Sequence, residues 1–224
     1  MKKYCKVKTR VANLYKTSSF KSELVTQAIQ NEILEIQDED KNWYKVRQWD
    51  NYESWIHSFY VTEMNVTETF NYFHPYSLNI ENVKFINKRF KSKKFFSDNN
   101  LINTAKEFLG IPYLWGGKSY IGFDCSGFVQ TVFFDFGIDL PRDSYQQINY
   151  EGLVEIKYSE VQAGDLLFFL DNKHVNHVAI SIGNEEIIHS SGYVKIEKLK
   201  ENKELYQKLY KVMSIRSLNE LVYE

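Results

Sequence analysis

Glycine is missing from the first 109 residues; all ten glycines fall between Gly110 and Gly192. The first half must therefore make its turns with Asn, Asp and Ser, whereas the second half holds positions where backbone crowding or positive φ is expected. Cysteine is scarcer still: Cys5 and Cys125 are too few for a disulfide scaffold, so either one matters as a thiol or as a small buried side chain. The longest apolar run is Leu166 to Leu170, far short of the roughly 20 residues that span a bilayer. The basic start Met1-Lys2-Lys3-Tyr4-Cys5-Lys6 has no apolar core behind it, so no secretory signal is read there and a cytoplasmic location is expected. An excess of one charge sign is absent as well. The 28 Lys/Arg and 29 Asp/Glu leave a net charge of −1, which argues against a dedicated nucleic-acid binder. The local basic group Lys84, Lys88, Arg89, Lys91, Lys93 and Lys94 reads as a solvated face or linker.

With 43% apolar and 25% charged residues over 224 positions, the chain has the composition of one ordinary globular domain or two small ones. Residues 1–61 read as short strands at 11–15, 23–28, 32–36, 43–47 and 52–56, separated by polar turns such as Asp38–Asn42 and Asp50-Asn51. Strands at roughly ten-residue spacing predict a small all-β barrel. Residues 62–98, mixed aromatic and polar with Pro75, read as a connector. From residue 99 onward, an expected helix capped by Asn99 or Asn100 stops at Gly110 and Pro112. A second opens near Asp124-Cys125-Ser126 and stops at Gly137. Strands then follow at 166–170, 177–182 and 187–190, which makes residues 99–224 an α+β domain with helices packed on an antiparallel sheet.

Cys125 falls in the first turn of its helix, directly after a residue able to cap it. Free backbone N–H groups and the positive dipole end favour a thiolate there, the nucleophile that acyl transfer needs. Gly127 lets another backbone or a substrate come close. Cys5 reads as a buried structural residue. A base is available in the alternating strand from His177, where Val178, Ile180 and Ile182 take one face and His177, Ala179 and Ser181 the other. If Gly183-Asn184-Glu185 form the loop, Ala179 pairs with His189, and His177 and His189 become diagonal neighbours on one face. A slip of one residue would separate them. This pattern allows a relay in which His177 takes the Cys125 proton and His189 orients His177. His174 and His177 as a metal pair are a weak signal without nearby thiolates, and no metal or organic cofactor is expected. His57 and His74 read as ordinary surface or core residues.

The blocks Gly110-Ile111-Pro112-Tyr113-Leu114-Trp115-Gly116-Gly117, Phe123-Asp124-Cys125-Ser126-Gly127-Phe128, Leu140-Pro141-Arg142, Ala163-Gly164-Asp165-Leu166 and His177-Val178-Ala179-Ile180 resemble, in order, the papain-like NlpC-type cysteine peptidases of bacterial cell-wall metabolism. The resemblance runs from about residue 100 to 215. It implies Cys125 as nucleophile, His177 as general base, His189 as the third polar residue, and Tyr113 with its hydroxyl near the oxyanion. Ser22–Gln27, Trp43–Arg47 and Tyr52–Ile56 are similar to a bacterial SH3 domain, departing from it at Asn51 and Ser54, where glycines are usual. Asn tolerates positive φ, and Ser54 implies a different turn. A single such domain joined to this peptidase resembles the γ-D-glutamyl-L-diamino-acid endopeptidases. In those enzymes the SH3-like domain walls off one end of the cleft, so that short wall peptides with a free N-terminal L-alanine fit. The resemblance implies Asp124 and Ser126 at the substrate ammonium, Asp124 also being a possible helix cap. Glu53 is a candidate second anchor, and Arg142 is either a contact for the D-glutamate carboxylate or a surface arginine. The expected partners are small peptidoglycan peptides, without nucleic acid or a membrane span.

Overall fold

A computed structural model describes residues 3–64 and 97–215. The chain divides into two compact units, Met1–Ser92 and Lys93–Glu224. The basic group 84–94, His74 and most of the expected connector lie outside the described residues.

The first unit is all β. Its strands are β1 (Lys3–Val7), β2 (Val11–Tyr15), β3 (Leu24–Ile29), β4 (Ile33–Asp40), β5 (Trp43–Arg47), β6 (Glu53–His57) and β7 (Val61–Met64), in the order β3-β2-β6-β5-β4-β1-β7. The sequence predicted five of the seven. The two it missed, β1 and β7, pair with each other and bring Cys5 and Val61 into the core with Val7, Leu14, Leu34, Val46 and Ile56. Asp38 to Asp40, expected as a turn, continue β4 to its pair with Trp43. The turn is only Lys41-Asn42, and Lys41 takes φ 55°. Asn31 and Asn51, at φ 72° and 63°, supply the left-handed turns that glycine would otherwise provide. Ser54 is no turn residue: it sits buried inside β6 opposite Val46.

In the second unit α1 (Asp98–Lys106) is capped by Ser97, whose hydroxyl accepts from Asn100 N, so the cap lies two residues before the expected Asn99. Short strands β8 (Lys118–Ser119) and β9 (Gly122–Phe123) lead into α2 (Cys125–Phe134), which runs to a turn closed by Gly137 at φ 76°. Phe128, Val129, Val132 and Phe133 bury nearly every side of α2, as expected of a helix at the centre of a domain. After α3 (Ser144–Gln147) come β10 (Val154–Ile156), β11 (Leu166–Asp171), β12 (His174–Gly183), β13 (Glu186–Ser191), β14 (Tyr193–Lys198), α4 (Lys203–Gln207) and β15 (Leu209–Ser214). Six of these strands form one antiparallel sheet ordered β10-β15-β11-β12-β13-β14, twice the number predicted. Both faces of the sheet are covered. Leu166, Phe168, Val178, Ile180 and Ile188 join the core around α2, whereas Leu167, Phe169, Ala179, Ile187 and Val212 pack with Leu199 and Leu205. The fold is α+β in this unit, as expected. No helix among the described residues is long and apolar enough to cross a membrane.

Two irregularities in β12 position the candidate site. On the β11 side the register shifts so that Phe169 faces His177 but Leu170 faces Val175, leaving Asn176 as an extra residue. On the β13 side Gly183 pairs with Glu186, then Ser181 pairs with Ile187, leaving Ile182 as a bulge. The hairpin loop is therefore the two residues Asn184-Glu185, both at positive φ (53° and 62°), rather than the three expected. A two-residue loop alone would have shifted β13 by one and turned His189 away from His177. The bulge at Ile182 restores the register, with Ile180 opposite Ile188.

Candidate active site

Asp124 is the N-cap of α2, with φ −84° and ψ 176°, and its Oδ1 accepts from Gly127 N at 2.6 Å. Cys125 is therefore the first residue of the helix, in the half-turn whose backbone N–H groups have no helical partner. The close approach expected at Gly127 is to backbone: a Cβ there would lie 2.1 Å from the Gly117 carbonyl oxygen. Gly117 O also accepts from Asp124 N at 3.1 Å, so the 116–117 turn holds the cap from one side. From the sheet, Ser190 Oγ donates to Phe123 O at 2.7 Å and ties β13 to the residue before the cap.

Arg142 holds the cap from the third side. It is 1% exposed, and its guanidinium donates to both Asp124 oxygens, at 2.9 and 2.5 Å, and to Ser126 Oγ at 3.1 Å. It is thus no surface arginine, one of the two roles expected of it. Asp124 also accepts from Gly116 N at 2.9 Å and from Ser126 Oγ at 3.3 Å. Five donors then converge on two oxygens with about four lone-pair sites, and the Ser126 hydroxyl holds the longest of these bonds. Glu53, in the first unit, has its two oxygens on Lys45 and Arg47, each at 2.9 Å.

The Cys125 thiol meets β12 on either side of His177: it donates to Asn176 O at 3.7 Å, and the Val178 N–H points at the sulfur. Tyr113 lies close enough for its hydroxyl to feel Cys125 and Asp124; burial and then those two charges push its pKa up. His177 Nε2 meets His189 Nδ1 at 2.8 Å, the contact the diagonal register predicts. His189 Nε2 in turn meets Glu197 Oε2 on β14 at 3.0 Å. The described residues thus bring together Cys125, His177, His189, Tyr113, Asp124 and Ser126.

Glu197 was not found from sequence. The strand reading ended at Ser190, although the alternation Val194, Ile196 against Lys195, Glu197 after Gly192 signals one more strand folded back onto β13. His57 is structural: its Nδ1 accepts from Phe59 N and its ring packs on Trp43. His174 is exposed at the start of β12, and among the described residues no group of three or more His, Cys, Asp or Glu could hold a metal ion.

Burial opposes the thiolate that the helix start favours. Burial, with Asp124 beside it, pushes the Cys125 pKa up to about 12, and the Val178 and Ser126 N–H groups and Arg142 offset only part of this. Burial and the neighbouring His189 push His177 down to about 3. Burial thus opposes charge on both groups, and attack on a carbonyl needs a base that takes the thiol proton.

A buried thiol opening a central helix, against an imidazole pair on an antiparallel sheet, is the arrangement of a papain-like cysteine peptidase domain. Residues 110–214 match the NlpC/P60 family and residues 10–62 the bacterial SH3 domain. The chain accordingly carries an NlpC/P60 cysteine peptidase domain preceded by a bacterial SH3 domain. Two similar proteins are gamma-D-glutamyl-L-lysine dipeptidyl-peptidases. The one from Bacillus cereus is 48% identical over 94 residues, 41% of this chain and 28% of that protein. The one from Bacillus subtilis is 39% identical over 113 residues, 49% and 38% of the two chains. The matched stretch is thus well under half the length of these relatives. A crystal structure of an NlpC/P60 family protein from Bacillus cereus superposes with a TM-score of 0.52 and 28% identity, covering 94% of this chain and 62% of that one.

Proposed function

We propose that this chain hydrolyses the amide joining the γ-carboxyl of D-glutamate to the diamino acid in short peptidoglycan-derived peptides with a free N-terminal L-alanine. The observation that carries the reading is the Cys125 thiol at the start of α2, set against β12, whose His177 meets His189 of β13. The names of the two Bacillus relatives support the bond and favour lysine as the diamino acid.

In the reaction, His177 Nδ1 takes the thiol proton as sulfur attacks the amide carbon. The oxyanion is met by backbone N–H at the helix start and by the Tyr113 hydroxyl. Collapse of the tetrahedral species breaks the C–N bond, and the imidazolium gives its proton to the leaving amine. Water, deprotonated by His177, then hydrolyses the thioester and frees L-Ala-D-Glu. The substrate ammonium displaces the Ser126 hydroxyl from Asp124 Oδ1, the longest of that carboxylate's bonds.

The test is incubation with L-Ala-γ-D-Glu-L-Lys, the meso-diaminopimelate analogue, and the N-acetylated form of each, with Cys125→Ala as control. Release of L-Ala-D-Glu from free-amine peptides alone, and with the thiol present alone, supports the whole reading. Equal cleavage of acetylated peptides keeps the nucleophile and removes the ammonium role of Asp124 and Ser126. No cleavage of any peptide overturns it. A role in recycling imported wall peptides in the cytoplasm goes with this proposal, and recovery of the protein in the envelope or medium on fractionation would sink that part.

A further inference from the structure

We propose that Glu197 is a positioning residue that sets the proton polarity of the His177–His189 relay and thereby leaves His177 Nδ1 bare to act as the base. The inference rests on the thiol-peptidase reading above. The relay crosses three strands on one diagonal. His189 on β13 faces Lys195 on β14, and Glu197 is two residues further along the same face. His177 is related to His189 in the same way across β12 and β13, once the bulge has set Ile180 opposite Ile188.

A carboxylate only accepts hydrogen bonds. Glu197 takes Lys195 Nζ on Oε1 at 2.6 Å, and Asn202 Nδ2 on Oε2 at 3.1 Å. Burial opposes its ionisation, but Lys195, Asn202 and His189 outweigh that and hold its pKa below the ordinary value. Facing it, His189 Nε2 must carry the hydrogen, so His189 Nδ1 has the lone pair. That lone pair accepts from His177 Nε2–H at 2.8 Å, which leaves Nδ1 of a neutral His177 free to receive a proton. With the opposite polarity, His189 Nδ1–H would donate to His177 Nε2. A neutral His177 would then carry its hydrogen on Nδ1 and could not take one from the thiol. Lys195 is the other charged group facing the pair, and it disfavours a second positive charge on either ring.

Two substitutions separate this role from simple packing. In Glu197→Gln, Lys195 keeps the amide oxygen on its side, so the NH2 group points at His189 Nε2 and reverses the relay. In Glu197→Ala neither polarity is enforced. The isosteric glutamine is therefore expected to be the worse variant, with kcat lower on the order of 100-fold, against about 10-fold for alanine. KM is expected to stay within about 3-fold of the parent for both. Nitrogen-15 spectra of the labelled 224-residue chain at neutral pH read the tautomers directly. Both rings are expected as Nε2–H in the parent, as Nδ1–H in Glu197→Gln and as mixtures in Glu197→Ala. A glutamine variant as active as the parent, or more active than alanine with tautomers unchanged, overturns the proposal. If the parent cleaves no wall peptide yet the tautomers switch, the relay polarity stands and the peptidase reading falls.

Discussion

The surroundings of the two cysteines make an instructive comparison, because acidity does not separate them. Cys5 lies at the middle of β1, wholly buried among Val7, Leu14, Leu34 and Val46, and burial followed by Glu63 pushes its pKa up to about 12. Cys125 is 7% exposed and is pushed to the same value by burial and Asp124. The difference is in what faces each sulfur. Around Cys5 there are strand neighbours and apolar side chains. Around Cys125 there are a helix N-terminus, the Ser126 and Val178 N–H groups, and β12 carrying the first imidazole of the relay. What distinguishes Cys125 is a neighbouring base able to take its proton.

The sharpest way to break this comparison is to remove each sulfur in turn. Cys125→Ala is expected to lower kcat/KM on the wall peptide by about 10,000-fold or more, with Cys5→Ala at the parent value, measured under identical substrate concentrations. Loss of activity in Cys5→Ala with the fold intact would dissolve the distinction. Next in size is the clamp around the cap. Arg142→Met leaves the buried Asp124 carboxylate without its cationic partner, and urea unfolding should show a loss of about 3–5 kcal/mol. Its exposed counterpart in the first unit, Glu53→Gln, breaks pairs with Lys45 and Arg47 and is expected to cost less than about 1 kcal/mol in the same assay. Gly127→Ala drives a methyl into the Gly117 carbonyl, and a loss of about 1–3 kcal/mol by urea unfolding, with a lower kcat, is expected.

The pH dependence of stability compares the same buried groups. The His177 pKa falls from 6.5 to about 3 on folding, so its contribution to stability is present above pH 6.5 and is lost as pH falls from there toward 3. Both thiols rise from 9.0 to about 12, so their contributions are present below pH 9 and are lost as pH rises toward 12. Thermal melts from pH 4 to 10 should therefore show Tm falling at both ends. On the acid side His177→Gln should flatten the slope and Cys5→Ala should not. On the alkaline side Cys5→Ala and Cys125→Ala should flatten it alike.

Much of this site was legible because its signals are local. Asp124 caps α2, Cys125 opens it, Gly137 closes the turn after it, and the alternation from His177 assigns faces, all within a few residues of chain. In the first unit, Asn31 and Asn51 take the left-handed turns that a chain without glycine needs. What was missed involves partners distant in sequence. β1 takes its place between β4 and β7, so its pairing depends on partners far along the chain. Arg142 reads as a carboxylate contact or a surface arginine until the fold carries it to Asp124, 18 positions back.

The sequence by itself determined the helix that presents the thiol, the strand that carries the base and the identity of both groups, since capping and alternation act through neighbouring residues. The tertiary structure decided whether they work together. A two-residue loop would have sent His189 to the wrong face, and only the bulge at Ile182 keeps it beside His177. Packing on both faces of the sheet buries the pair and opposes charge on thiol and imidazole, against the pull of the helix terminus. Glu197 enters the relay because β14 folds back at Gly192, a pairing fixed by register and burial rather than by any local signal in the chain.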